Sequence, residues 1–195
     1  MADLKPVFVG AAIALSGCIS VLPEPIVPDA LYAIEASGAR QSLEANIIVR
    51  EAEAPQISAG QAIVTEDASW ALRLLPSIEW AGASTRLLQL AIVDSFGGGV
   101  GTAVLPETGI TAPFEVMTRV QYFGLRGDTA VCRVSVQVVE SRGRKLIGSR
   151  DVSVESPSLN SSTQARGAQM KTVAGQCVSE ISERIATIVN SQDRS

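Results

Sequence analysis

The sequence contains no histidine in 195 residues. Histidine is the commonest general base near neutral pH and the commonest zinc ligand. Its absence excludes Ser-His-Asp and Cys-His catalysis. Cysteine is scarce, with three residues and no Cys-x-x-Cys pair, so the spacing of a metal site is missing too. No G-x-S-x-G occurs. Basic residues are few: Lys+Arg 16 stand against Asp+Glu 20, giving a net charge of −4 without a basic cluster. Nucleic-acid binding needs Lys/Arg patches to neutralise phosphates, so that partner class is excluded. Aromatics make up only 4% of the chain.

What is present is an apolar content of 46% and a charged content of 18%, the composition of a globular chain with a proper core. The length suits one domain with residues to spare.

The spare length lies at the N-terminus. Met1–Lys5 is a short positive segment, and PVFVGAAIALSG at 6–17 is apolar but well short of the ~20 residues that span a bilayer. Leu15-Ser16-Gly17-Cys18 matches a bacterial lipobox: a branched apolar residue, two small residues, then cysteine. Small side chains admit the backbone to a peptidase, and the thiol takes a diacylglycerol. The expectation is a signal peptide over 1–17 and a lipidated Cys18. Several acyl chains at ~0.8 kcal/mol per buried methylene hold a protein on a membrane stably. Ile19 stands where an aspartate would signal inner-membrane retention, which points to the outer membrane. The next segment carries Pro23, Pro25 and Pro28 with no helical or strand period. Proline fixes φ and removes donors, so residues 18–30 read as a semi-rigid tether before a domain over 31–195.

Within that domain, strands are expected at 31–34, 45–50, 61–65 and 71–75, the last stopped by Pro76. Ser77 is an N-cap type, and Trp80, Ser84, Leu87, Leu88, Ala91 and Ile92 recur at helical spacing up to Gly97. A further strand is expected at 100–105. Phe114, Val116, Thr118, Val120 and Tyr122 alternate with polar residues, as do Cys132, Val134, Val136 and Val138. The spacing predicts two long strands there and a polar edge strand at 145–155. A helix over 163–190 buries Met170, Val173, Ala174, Cys177, Ile181, Ile185, Ile188 and Val189. The fold class expected is α+β: one domain, a mostly antiparallel sheet, and two main helices on one face.

Few motifs compete for chemistry. Gly97–Gly101 follows a helix and precedes a strand, the reverse of a phosphate loop, and reads as a helix end and turn. Cys132 and Cys177 both sit on apolar faces. They are bridged or they are buried free thiols, and the pattern leaves both open. Trp70, Trp80, Tyr122 and Phe123 anchor a core or line a lipid groove. No catalytic constellation, metal set or cofactor motif is present.

The order of segments resembles a known family. QAIVT at 61–65 precedes ALRLLPSIEWAGASTRLLQ at 71–89 with its Trp80-Ala81 pair. FEVMTRVQYF at 114–123, AVCRVSVQVVE at 130–140, the basic hairpin SRGRKLIGSRDV at 141–152 and the helix VSEISERIATIV at 178–189 follow. With the lipobox and tether, this sequence is similar to the ABC-type transport auxiliary lipoproteins (the paraquat-inducible protein C group). The resemblance implies a non-enzymatic, periplasm-facing accessory of a transporter. Its expected partners are an MCE-domain protein with an ABC permease and ATPase, moving phospholipid or other hydrophobic molecules. Self-association is a further expectation. The alternatives are a periplasmic lipid carrier and a structural envelope lipoprotein.

Overall fold

The computed structural model describes residues 27–158 and 160–192. The lipobox, the signal peptide and most of the tether lie outside these residues. Strands β1 (Ala30–Tyr32) and β2 (Ile47–Val49) come first, followed by a one-turn helix α1 (Gln56–Ala59). Strands β3 (Ala62–Glu66) and β4 (Leu72–Trp80) form a hairpin, and helix α2 (Ser84–Asp94) follows. The two-residue strand β5 (Ala103–Val104) precedes the long strands β6 (Phe114–Arg126), β7 (Thr129–Glu140) and β8 (Leu146–Pro157). Helix α3 (Thr163–Gln192) completes the fold.

All eight strands belong to one sheet. Along one edge, β6 pairs antiparallel with β7 over its full length, and β7 pairs antiparallel with β8. The other edge of β6 is shared. Its first residues accept β2 in parallel, with Val49 opposite Val116. Its last residues accept β3 in parallel, with Glu66 opposite Arg126. The gap between them is bridged by Glu53, whose N–H donates to the Thr118 carbonyl and whose carbonyl accepts from Val120 N–H. Two wings therefore leave the same strand. One is β2 with β5; the other is β3, β4 and β1.

This is the expected α+β domain, with one refinement. The long ladders are antiparallel, but the short N-terminal strands β1, β2 and β5 pair only in parallel. In β2 the run Ile47-Ile48-Val49 is apolar throughout and none of the three is exposed, the pattern of a strand covered on both faces.

Helices α2 and α3 lie on one face. The stripe from Met170 to Val189 on α3 is buried, with Gly175, Val178, Ser182 and Ala186 added to the residues expected. It packs on Val134, Val136, Val138 and Val152 of the long strands, within one continuous core. Gln89 of α2 is buried and donates to the Val49 carbonyl at 2.8 Å, joining α2 to β2.

The region 71–83 differs from expectation. Residues 77–80 belong to β4, not to the helix, which starts at Ser84. Proline 76 does not end the strand; it lies within it, and Ser77 follows at φ +60°. Trp80 and Ser84 share a helical spacing, but Ile78 and Trp80 also alternate. The pairing of 78–80 with β1 and the bond from Trp80 N–H to the Gln61 carbonyl decide for strand. The strand expected at 100–105 shrinks to two residues because the glycine run is packed rather than extended. A Cβ on Gly101 would stand 2.3 Å from the Ala45 carbonyl oxygen, so only glycine permits that approach.

Candidate functional site

The sequence-derived candidates fall in three places. Leu15, Ser16, Gly17 and Cys18 lie outside the described residues. Cys132 on β7 and Cys177 on α3 are joined as a disulfide, with Cα atoms 6.3 Å apart. Both are fully buried, so the bond ties the central sheet to the middle of α3 inside the core.

The aromatic set does not line one groove. A β-bulge in β6 separates its members. Val120 pairs with Val134, but Tyr122 pairs with Arg133, so Gln121 is the extra residue. Inserting one residue reverses the alternation. Val116, Thr118 and Val120 face the helices before the bulge, and Phe123 and Leu125 do so after it. Trp80 and Phe123 stack in the core, with ring centroids 5.3 Å apart. Tyr122, expected in phase with Val120, is turned to the opposite face. Trp70 is neither core nor groove; it sits exposed at the tip of the β3–β4 hairpin.

The face of the sheet away from the helices is the candidate functional surface. It is built from ion pairs that cross between strands. Arg126 lies 3.3 Å from Glu66, and its guanidinium carbon sits 4.9 Å from the Tyr122 ring centre. The Tyr122 hydroxyl donates to the Leu125 carbonyl at 2.8 Å, which carries the ring along the strand past Gly124. Burial, with the Glu66 carboxylate nearby, pushes the Tyr122 phenol up to about 12 against the opposing pull of Arg126. Arg133 binds Glu155 through two nitrogens at 3.2 and 2.6 Å. Arg119 holds Glu53 in the same way at 3.2 and 3.0 Å. Glu115, nearly buried, takes Arg50 at 3.0 Å and lies 4.0 Å from Arg144.

These pairs neutralise one another, leaving a polar face without a field of one sign. The exposed pairs Arg133–Glu155 and Arg119–Glu53 contribute about 0–1 kcal/mol each, whereas Glu66 and Glu115 are buried carboxylates that need their arginine partners. Nothing in the arrangement activates a nucleophile. Among the described residues, no group of three or more His, Cys, Asp or Glu side chains is placed to hold a metal ion. No helix among them is long and apolar enough to cross a membrane.

The surface clefts along α3 mix polar with small apolar residues. One of about 400 Å³ lies between Gln41-Ser42 and the end of α3, lined also by Glu183, Thr187 and Asn190. Another of about 450 Å³ is lined by Glu35, Ser37, Lys171, Thr172 and Gln176, with small apolar residues between them. A site for a lipid tail needs predominantly apolar and aromatic walls. The sequence signalled neither the cross-strand pairs nor the hairpin tip. Arg126 is 60 residues from Glu66 and Arg50 is 65 from Glu115, and only the topology brings them together.

The fold has known counterparts. The crystal structure of protein XCC0632 from Xanthomonas campestris aligns with a TM-score of 0.70 at 16% identity, covering 85% of this chain and 97% of that one. The hypothetical protein CT253 from Chlamydia trachomatis aligns with a TM-score of 0.51 at 11% identity, covering 75% and 98%. At such identities these likenesses establish the fold alone. No curated protein sequence matches this one significantly. The family model for the ABC-type transport auxiliary lipoprotein component matches residues 30–186, from β1 almost to the end of α3. The chain belongs to the family of ABC-type transport auxiliary lipoprotein components.

Proposed function

We propose that this protein is the lipid-anchored auxiliary component of an MCE-type ABC transporter that moves phospholipid or related hydrophobic molecules across the bacterial envelope. Acylated Cys18 fixes it to a membrane, the outer one given Ile19, with the domain facing the periplasm. It has no enzymatic role; ATP hydrolysis belongs to the partner ATPase. The carrying observation is one continuous buried core beside clefts that carry no large apolar wall. The core runs on from Trp80 and Phe123 to Ile188 and Val189, and the clefts beside α3 mix Gln, Ser, Glu, Lys, Thr and Asn with alanine, without a large apolar or aromatic side chain. Such a domain suits docking on other components better than holding an acyl chain, which disfavours the carrier reading.

The test is purification of the tagged lipoprotein from membranes in mild detergent. The expected result is co-purification of an MCE-domain protein with its permease and ATPase. Their absence overturns the transporter assignment. Lipid retained in stoichiometric amount in native mass spectrometry, without those partners, supports the carrier instead.

A further inference from the structure

The hairpin between β3 and β4 carries the most exposed aromatic side chain of the described residues. Trp70 is 75% exposed, and Leu72 and Leu74 behind it are 48% and 55% exposed. Leu72 pairs with Glu66 and Leu74 with Val64. Thr65 between them accepts a hydrogen bond from Arg166 of α3, so Thr65 faces the helices and the two leucines face away. The tip is a rigid structure. The Asp67 carboxylate accepts from Ser69 N–H at 2.9 Å and Ala71 N–H at 3.2 Å, and its other oxygen takes Arg73 at 3.1 Å. Trp70 is held at φ +66°, a conformation that non-glycine residues rarely adopt. Its carboxylates are all paired, Asp67 with Arg73 and Glu66 with Arg126.

The anchor would lie at the same end of the molecule. Strand β1 runs parallel to β4, with Ala30 opposite Ile78, and Asp29 N–H donates to the Ser77 carbonyl. The chain therefore enters from the end of β4 that bears Trp70. Cys18 and Asp29 are eleven Cα–Cα steps apart, and fully extended these reach at most ~40 Å. The strand from Ser77 back to Trp70 covers about 23 Å of that height at ~3.3 Å per residue. Even a taut tether leaves the tip within about 15–20 Å of the attachment point, and any slack closes the gap.

We infer that the Trp70–Leu72–Leu74 row rests on the surface of the membrane that holds Cys18, as a second contact that orients the domain. This inference rests on the anchor reading above. Indole and leucine side chains on a neutral, rigid tip suit the headgroup boundary, where tryptophan concentrates. Addition of a peptide strand along β4 fits less well, because Pro76 removes a donor from that edge.

The experiment uses the mature chain from residue 19 with an N-terminal hexahistidine, held on phosphatidylcholine–phosphatidylethanolamine vesicles by a nickel-chelating lipid. Attachment is then independent of acylation, and the mass of the native protein tests Cys18 separately. Trp80 is 1% exposed and serves as the internal control. Expected is a blue shift of Trp70 emission on the vesicles and loss of most of it to lipids brominated in the acyl chain. Trp70→Ser removes the quenchable component, and Leu72→Ser/Leu74→Ser weakens the quenching without unfolding the domain. Trp70 emission that stays red and open to aqueous acrylamide on the vesicles overturns the inference. A lipid-free blue shift that grows with protein concentration overturns it in favour of a second copy. A lipid-free shift independent of concentration overturns it in favour of the tether folding back.

Discussion

Trp80 of β4 and Phe123 of β6 stack at 5.3 Å with their planes inclined by only 15°, across the width of the intervening strand β3. This contact fastens the β3–β4–β1 wing to the central strand from the helix side. Phe123→Ala is expected to destabilise the protein by about 3–5 kcal/mol, as for a fully buried ring. Urea unfolding measures it, and native Trp80 emission should change because its stacking partner is gone.

The Cys132–Cys177 bond closes a sequence separation of 45. In the chain-entropy model, a cross-link of that length stabilises by about 4 kcal/mol. The double substitution Cys132→Ala/Cys177→Ala should lower stability by that order. Alkylation of the unfolded, unreduced protein should leave both cysteines unlabelled; labelling of both would remove the bridge from the account.

Tyr122 gives the alkaline limit of stability a specific origin. Its phenol is raised from 10.0 to about 12 in the folded state by burial and Glu66. A raised value means the folded state keeps a proton that the unfolded state has lost. The stabilisation is full below pH 10 and declines as pH rises toward about 12. Tyr122→Phe should flatten that decline, and denaturant titrations across this interval read the slope directly.

Gly124 lies under the reach of Tyr122 and against β3. A Cβ there would stand 2.5 Å from the Val64 carbonyl oxygen. Gly124→Ala should push β3 away from β6 and cost about 1–3 kcal/mol, as overpacking does. Hydrogen exchange should quicken at β3 amides more than in the β6–β7 ladder.

The long strands and α3 were legible in the sequence because their periods are long and uninterrupted. Val134, Val136 and Val138 alternate over a whole strand, and the stripe from Met170 to Val189 runs for more than five turns. Residues 77–80 were not legible, since Ile78, Trp80 and Ser84 satisfy either period and only the partner strand β1 decides. The bulge at Gln121 was hidden for a similar reason. Alternation before and after it is regular, and the phase change shows only against the register of β7. The surface ion pairs were invisible because single charges in a sequence carry no address. The family, in contrast, was readable from the order and spacing of segments together with the lipobox and tether.

The shared edge of β6 fixes an order of events during synthesis. Ile47 finds its partner at Phe114, and Val64 at Gly124. Until β6 has been made, β2 with β5 and the β3–β4–β1 wing have no central strand to join them. The two wings thus stay apart while the nascent chain grows. Such distant pairings close slowly. A topology whose keystone is translated late joins its two wings only once the second half of the chain exists.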